Sequence, residues 1–155
     1  MIQIKTAKNK GFELSDRSQT VLLDGEKIGL GQESITETGE FEIAGIEVIY
    51  GENAAMLIWE QMQMVYVFKF DPTTAFEKEQ FSSADVVIFG DTDAELNKVF
   101  YSDLVNAYDP SVVIFHKETK IEKAFRDSLK VTETAIGKIS EQTLPAEGRD
   151  LIIVG

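Results

Sequence analysis

Hydrophobic and polar side chains alternate in short runs from the start of the chain to Asp71. This period of two is typical of strands that bury one face. Asp24-Gly25, a strong signal for a two-residue hairpin turn, joins two of these runs. The segment GEFEIAGIEVIYG, residues 39–51, forms a second hairpin, and residues 55–70 form a third. The pattern predicts an antiparallel meander of hairpins in the N-terminal half.

The pattern changes after Asp71. Val86–Phe89 and residues 112–115 are apolar at every position, and the segment with helical spacing between them ends at Asp109-Pro110. Strands that are apolar throughout are buried on both faces, as in parallel sheets. The C-terminal half is therefore predicted to contain a βαβ unit.

Further elements complete the predicted chain. A short helix at residues 75–80 follows Thr73 and Thr74, which can cap it, and an amphipathic helix spans residues 118–129. Strands follow at residues 131–139, with a bend at Gly137, and at residues 151–154. Because no internal repeat or linker interrupts this order, we expect one α/β domain over residues 1–155.

The charge of the chain narrows the possible partners. It carries 27 acidic against 15 basic residues, a formal net charge of −12, and no basic cluster offsets this balance. Such a field repels phosphate backbones and anionic lipid, so neither nucleic acid nor a membrane is an expected partner. No signal-type apolar segment is seen, and we expect a cytoplasmic protein. The lack of cysteine excludes disulfides, thiolate metal sites and a cysteine nucleophile.

Candidate chemistry is sparse and lies where predicted parallel strands end. Ligands of such sheets sit beyond the carboxyl ends of the strands, which places Asp91, Asp93 and the only histidine, His116, together. Asp71 ends the last strand of the meander. No G-x-S-x-G elbow, phosphate-binding loop or dinucleotide fingerprint is present.

Each of these residues also has a structural interpretation. Asp71, which precedes Pro72, can cap backbone N–H groups in a turn. Asp91 can be a turn residue, and Asp93 can be a helix N-cap or a first-turn acid that favours the helix dipole. His116 can be a strand-end residue that hydrogen-bonds to a neighbouring loop. The spacing D-x-D is by itself a weak metal signal.

Several segments, in order, resemble the metallo-β-lactamase fold and its small ascorbate-6-phosphate-lactonase-like branch. GEFEIAGIEVIY resembles the branch's "G-E-Y-E-I-x-G-V-x-V" hairpin, and VYVFKFDP places Asp71 at a metal-ligand aspartate. SSADVVIFG resembles a following strand, and LVNAYDPSVVIFHK places His116 on a metal-ligand histidine. The ending GKISEQTLPAEGRDLIIVG also fits. The resemblance implies a reduced metallo-β-lactamase-like α/β sandwich.

The departures from the family bear on function. The family's "H-x-H-x-D-H" cluster and its N-terminal "G-H-S" are both missing, so that only Asp71 and His116 remain of the usual ligands. Catalytic zinc needs three protein ligands and an open position for water. Asp91, Asp93 or Glu118 would have to complete a site, and a set so rich in oxygen suits Mg²⁺ or Mn²⁺ better than Zn²⁺.

Two functional hypotheses follow from the resemblance and its departures. The first is a non-catalytic, cytoplasmic binding or interaction protein without a cofactor, in which Asp71 and His116 are remnants of a lost site. The second is a hydrolase of a phosphorylated or lactone-like small molecule that uses one divalent metal ion at Asp71 and His116. The small-molecule or protein partner is not identified by the sequence.

The sequence also predicts a homodimer. Residues 55–70 are apolar on both faces of their hairpin, and no convincing helix before Asp71 could cover the second face. On this interpretation Met64 and Tyr66 lie in the interface.

Overall fold

The structure is a computed structural model that describes residues 1–71, 79–91 and 93–155. Most of the helix predicted at residues 75–80, together with Thr73 and Thr74, lies outside these residues. The described strands are β1 (Ile2–Thr6), β2 (Phe12–Ser15), β3 (Thr20–Asp24), β4 (Lys27–Leu30), β5 (Glu33–Ile35), β6 (Gly39–Ile43), β7 (Ile46–Tyr50), β8 (Ala54–Trp59), β9 (Met62–Val67), β10 (Val86–Phe89), β11 (Glu95–Leu96), β12 (Val112–His116), β13 (Lys120–Ile121), β14 (Thr132–Thr134), β15 (Gly137–Ile139) and β16 (Asp150–Val154). Two α-helices are described with bounds, α1 (Lys98–Tyr108) and α2 (Lys123–Ser128).

Two large sheets form the two layers of the molecule. Sheet A has six strands in the order β15-β1-β2-β3-β4-β5, all antiparallel. Sheet B has eight strands in the order β14-β16-β12-β10-β9-β8-β7-β6. Its strands from β6 to β9 pair antiparallel, whereas β9, β10, β12, β16 and β14 pair parallel. A third, two-stranded sheet pairs β11 with β13.

The period of two along the strands divides the core into two clusters. On β12, Ile114 faces sheet A and belongs to the cluster between the two sheets, which also contains Ile2, Phe12 and Val48. Its neighbour Phe115 faces the other way and packs in a second cluster with Leu104 of α1 and Phe125 of α2. The central strands of sheet B, β8, β9, β10 and β12, are therefore buried on both faces. Sheet A presents its other face to solvent, where Leu22 is 45% exposed.

The structure contradicts the reason given above for a homodimer. Met64 and Tyr66 are 0% and 1% exposed and lie between the two sheets. Val65 and Val67, on the opposite face of β9, are covered by the second cluster. The prediction that this hairpin leaves one face uncovered is wrong, because sheet A covers one side and the segments that follow Asp71 cover the other.

The helix predicted at residues 118–129 is also wrong in extent. Lys120–Ile121 forms β13, whose pairing with β11 satisfies its backbone, and the helix begins only at Lys123. Ile121 and Leu129 still pack against the second cluster, so the apolar spacing identified the buried face but not the helix bounds.

Two consecutive strands, β14 and β15, lie within residues 131–139, where the pattern predicted strand with a bend at Gly137. β14 belongs to sheet B and β15 to sheet A, so the chain crosses between the layers at residues 135–136. Thr134 stabilises this crossing, because its Oγ1 donates to the carbonyl oxygen of Ile136 at 2.9 Å. Among the described helices, none is long and apolar enough to cross a membrane.

Candidate functional site

The parallel strands of sheet B bring three of the predicted residues to one edge. β9, β10 and β12 are neighbours, and Asp71, Asp91 and His116 stand at or just beyond their carboxyl ends. This is the edge at which open α/β sheets bind ligands. The chemistry possible here depends on what each side chain already contacts.

Asp91 closes the turn that leaves β10. Its Oδ2 accepts a hydrogen bond from the backbone N–H of Phe70 at 3.3 Å, and its Oδ1 accepts from the N–H of Asp93 at 3.2 Å. Both carboxylate oxygens therefore stabilise the local backbone, one of them across to the end of β9. Asp71 itself is exposed and has an interaction partner.

Asp93 does not cap a helix, as one interpretation of the sequence predicted. It lies before β11, and the residue that caps α1 is Asn97, whose side chain accepts from the backbone N–H of Phe100 at 2.8 Å. The short β11 displaces the helix start by several residues, since its backbone pairs with β13 instead of turning into a helix.

His116 is buried, with 2% of its surface exposed, and its ring is fixed on both sides. The backbone N–H of Glu118 donates to its Nδ1 at 3.0 Å, and Phe12 of sheet A packs edge-on against the ring at a centroid distance of 5.5 Å. Because Nδ1 accepts, the neutral ring carries its proton on Nε2. Within the part of the chain that the structure describes, Nε2 is buried and has no hydrogen-bond partner.

The surroundings also favour the neutral ring. Burial lowers the pKa of His116, the Glu118 carboxylate at 3.9 Å from Nδ1 opposes that effect, and Lys117 and Lys10 reinforce it. Lys10 belongs to the connection between β1 and β2. Of these charges, Glu118 favours a cation at the ring, whereas Lys117 and Lys10 oppose it.

These residues do not fit a zinc centre. A histidine that ligates a metal through one ring nitrogen donates the N–H of the other to a carboxylate or carbonyl. In His116 the second nitrogen accepts instead, so Nε2 has no lone pair to offer. Across residues 1–71, 79–91 and 93–155, no three His, Asp or Glu side chains converge in a way that could hold a metal ion.

A cleft of about 410 Å³ opens near His116 but does not expose its imidazole. Lys117, Thr119, Arg126 and Glu133 are among its lining residues, and Arg126 and Glu133 form an ion pair at 2.9 Å. Nε2 of His116 and Oγ1 of Thr119 each have less than 1 Å² of accessible surface. A ligand in this cleft would therefore not reach either polar atom.

Two buried tyrosines, Tyr66 and Tyr50, hydrogen-bond to the β3–β4 turn, a role that the sequence did not indicate. The Tyr66 hydroxyl donates to the carbonyl oxygen of Gly25 at 2.8 Å, and the Tyr50 hydroxyl donates to that of Glu26. Burial raises the pKa of Tyr66, so the ring stays neutral. Gly90, directly after β10, is needed because a Cβ there would lie 2.4 Å from the Tyr66 ring. The β3–β4 turn is thus fastened at this edge by two hydroxyls.

The paired sheets, with helices against one of them and the candidate residues at the carboxyl ends of its parallel strands, define a metallo-β-lactamase fold. A solved structure from Thermotoga maritima, described as that of a candidate Zn-dependent hydrolase of the metallo-β-lactamase superfamily, matches this chain with a TM-score of 0.71. The match covers 100% of both chains at 11% sequence identity, and at that identity it shows the fold alone. No protein-family model and no curated protein match the sequence.

Proposed function

We propose that this protein is a non-catalytic relative within the metallo-β-lactamase superfamily that acts as a cytoplasmic binding or interaction protein. From the sequence resemblance we further propose that it belongs to the ascorbate-6-phosphate-lactonase-like branch, as a member without the histidine cluster. The observation that carries the proposal is the state of His116. Its Nδ1 accepts a hydrogen bond from the Glu118 N–H, its Nε2 is sealed from solvent, and burial lowers its pKa.

The carboxylates at the same edge support this interpretation. Asp91 uses both oxygens to fix backbone N–H groups, and Asp93 is exposed beyond it. A metal-activated hydroxide requires an open coordination position on a bound ion, and a nucleophilic mechanism requires a nucleophile beside a base. His116 cannot act as that base towards a substrate while its Nδ1 is bonded and its Nε2 is protonated.

The second hypothesis is a hydrolase of a phosphorylated or lactone-like small molecule with one divalent ion at Asp71 and His116. It is favoured by the described activity of the structural neighbour. For Nε2 of His116 to bind the ion, its proton would have to move to Nδ1, and the hydrogen bond from the Glu118 N–H to Nδ1 would have to break. The two hypotheses therefore differ in a measurable property, the metal content.

The test is metal analysis of protein purified without a metal-affinity tag, before and after incubation with Zn²⁺ and Mn²⁺. We expect well below one equivalent of either metal, roughly one tenth or less, because the ligand number is too low. Hydrolysis of an ester, a lactone and a phosphodiester should equal the rate in buffer. Near one equivalent of metal that is lost in His116→Asn but kept in Asp103→Asn, an exposed helix position, together with turnover, would establish the hydrolase instead.

A further inference from the structure

The edge of sheet B formed by β6 differs from the other sheet edges among the described residues. The edge strands β5, β14 and β15 have three residues each, whereas β6 has five. Proteins commonly protect a sheet edge by keeping its strand short, since unpaired N–H and C=O groups invite another strand. β6 lacks that protection.

The hairpin turn fixes which backbone groups of β6 point outwards. Ala44 and Gly45 both have positive φ, 53° and 83°, as in a type I′ turn, and Ile43 pairs with Ile46. In such a hairpin the pair beside the turn exchanges both hydrogen bonds, and pairs then alternate. The N–H and C=O groups of Glu40 and Glu42 therefore point away from β7, towards the open edge.

The side chains along this edge are acidic and unpaired. Glu42 lies directly opposite Glu47 of β7, a like-charge pair that destabilises a sheet. Within the described chain, the carboxylates of Glu40, Glu42 and Glu47 have no hydrogen-bond or ion-pair partner. Phe41 faces the opposite side of the strand and is 37% exposed. These groups border a shallow groove of about 330 Å³.

A second copy of this chain fits the edge poorly. If two β6 strands paired antiparallel about Phe41, each Glu40 would face the partner's Glu42, and like charges would oppose one another along the new ladder. The net charge of −12 adds repulsion at long range. The charge pattern instead complements a strand with basic residues at alternate positions.

We propose that β6 is a docking edge for an extended basic segment of another protein, which adds to sheet B as a further strand. The backbone of Glu40 and Glu42 would supply the hydrogen bonds. Lys or Arg side chains two residues apart would pair with the two carboxylates, and the apolar residue between them would contact Phe41. The inference deepens the proposed function, because it names the class of partner that a binding protein of this fold would take.

The probe is a fluorescent peptide of about eight residues in which lysine and valine alternate, long enough for one strand. Anisotropy at low salt should show saturable binding, and NMR should place the largest amide shifts at residues 39–43. Two control peptides, one with glutamate for lysine and one N-methylated at alternate backbone nitrogens, should not bind. Absence of saturable binding by the basic peptide would overturn the inference.

Two matched pairs of variants separate the contribution of the carboxylates to peptide binding from that of the backbone hydrogen bonds. Glu40→Lys with Glu42→Lys should weaken binding about tenfold or more, whereas Asp103→Lys with Asp127→Lys, on exposed helix positions, changes net charge equally and should cost about twofold. Glu42→Pro removes one outward N–H and should bind about fivefold more weakly than Glu42→Gln, the effect of one hydrogen bond. Equal losses within both pairs would show non-specific attraction and refute the docking edge.

Two further outcomes are decisive. Concentration-dependent dimerisation that Glu42→Pro abolishes would assign the edge to a second copy and overturn the basic partner. The metal and hydrolysis assays above test the proposed function separately. If hydrolysis is found while peptide binding still depends on β6, the proposed function fails and the docking edge stands. If neither hydrolysis nor peptide binding is found, the protein is non-catalytic as proposed and the docking edge is refuted.

Discussion

Hydrogen bonding decides the chemistry available to His116. One backbone N–H, that of Glu118, determines which of its two ring nitrogens carries the proton. Nδ1 accepts from Glu118, and the protonated Nε2 has no partner within the described residues. A buried donor left without a partner costs about 1–3 kcal/mol. His116, which resembles a metal ligand in the sequence, is therefore a neutral core residue whose unpaired Nε2 proton lowers the stability of the fold.

The pH dependence of stability should report this state. Burial lowers the pKa of His116 below its ordinary value of 6.5, so that between the two values the unfolded chain binds more protons than the folded one. Stability must then fall as the pH falls from about 7 through that interval. His116→Asn keeps an acceptor near Nδ1 and cannot be protonated. Urea unfolding at about pH 7.5 and 5.5 should show a smaller loss for the variant than for the parent; an equal loss would contradict the assignment.

Tyr66→Phe should lower the free energy of unfolding by about 1 kcal/mol, because it removes the hydrogen bond to Gly25 and leaves that carbonyl without its partner. Tyr101→Phe is the control. Its hydroxyl makes no hydrogen bond within the described residues, so the change should stay within about 0.5 kcal/mol. Urea denaturation measures both. Equal effects would mean that the Tyr66 hydroxyl does not fasten the β3–β4 turn.

At the scale of elements, the apolar pattern was sufficient to predict a mixed α/β class and much of the buried set. It identified Ile121 and Leu129 as core-facing but placed them on one long helix. The pattern could not show β13, because the strand exists only through its pairing with β11, distant in sequence. The same limit applies to the site: the apolar pattern placed His116 at a strand end and the resemblance implied a metal ligand, but its hydrogen bonding depends on the loop that follows.

Glu42→Thr should stabilise the protein by about 0.5 kcal/mol, since it removes the repulsion with Glu47 and places a β-branched residue on a strand. Glu40→Thr is the matched control, because Glu40 faces Ile49 and loses no such repulsion. Thermal unfolding at low salt should therefore give a higher midpoint for the first variant than for the second. No difference between them would show that the Glu42–Glu47 pair is fully screened.

At the scale of the whole molecule, the two sheets bury the hairpin that the sequence marked as an interface. Met64→Glu should therefore unfold the protein instead of producing a folded monomer, because an unpaired charge between the sheets costs several kcal/mol. Gln63→Glu, on the neighbouring exposed position, should change stability by less than about 0.5 kcal/mol. Circular dichroism with urea titration distinguishes these outcomes; a folded Met64→Glu variant would refute the packing.

The homodimer stays a prediction, which light scattering can test.

The net charge of −12 predicts a second whole-molecule property. Mutual repulsion of carboxylates opposes the compact state, and about 0.2 M salt screens charges that lie more than about 7 Å apart. The thermal midpoint should therefore rise when NaCl is added. The variant Asp103→Lys with Asp127→Lys, which is less negative, should show a smaller rise. A midpoint that falls with salt would indicate that attractive ion pairs dominate.

The crossing between β14 and β15 has a consequence for how the chain acquires its structure. β1 pairs with β15, with Ile2 opposite Ile139. The first strand to be synthesised therefore cannot complete its pairing until one of the last strands has been made. Contacts this distant in sequence are associated with slow folding, since a long loop must close before they form. Until residue 139 is available, one edge of sheet A stays open on the nascent chain. Neither layer is then a complete unit by itself, and we expect the chain to gain most of its stability only after β15 has been made.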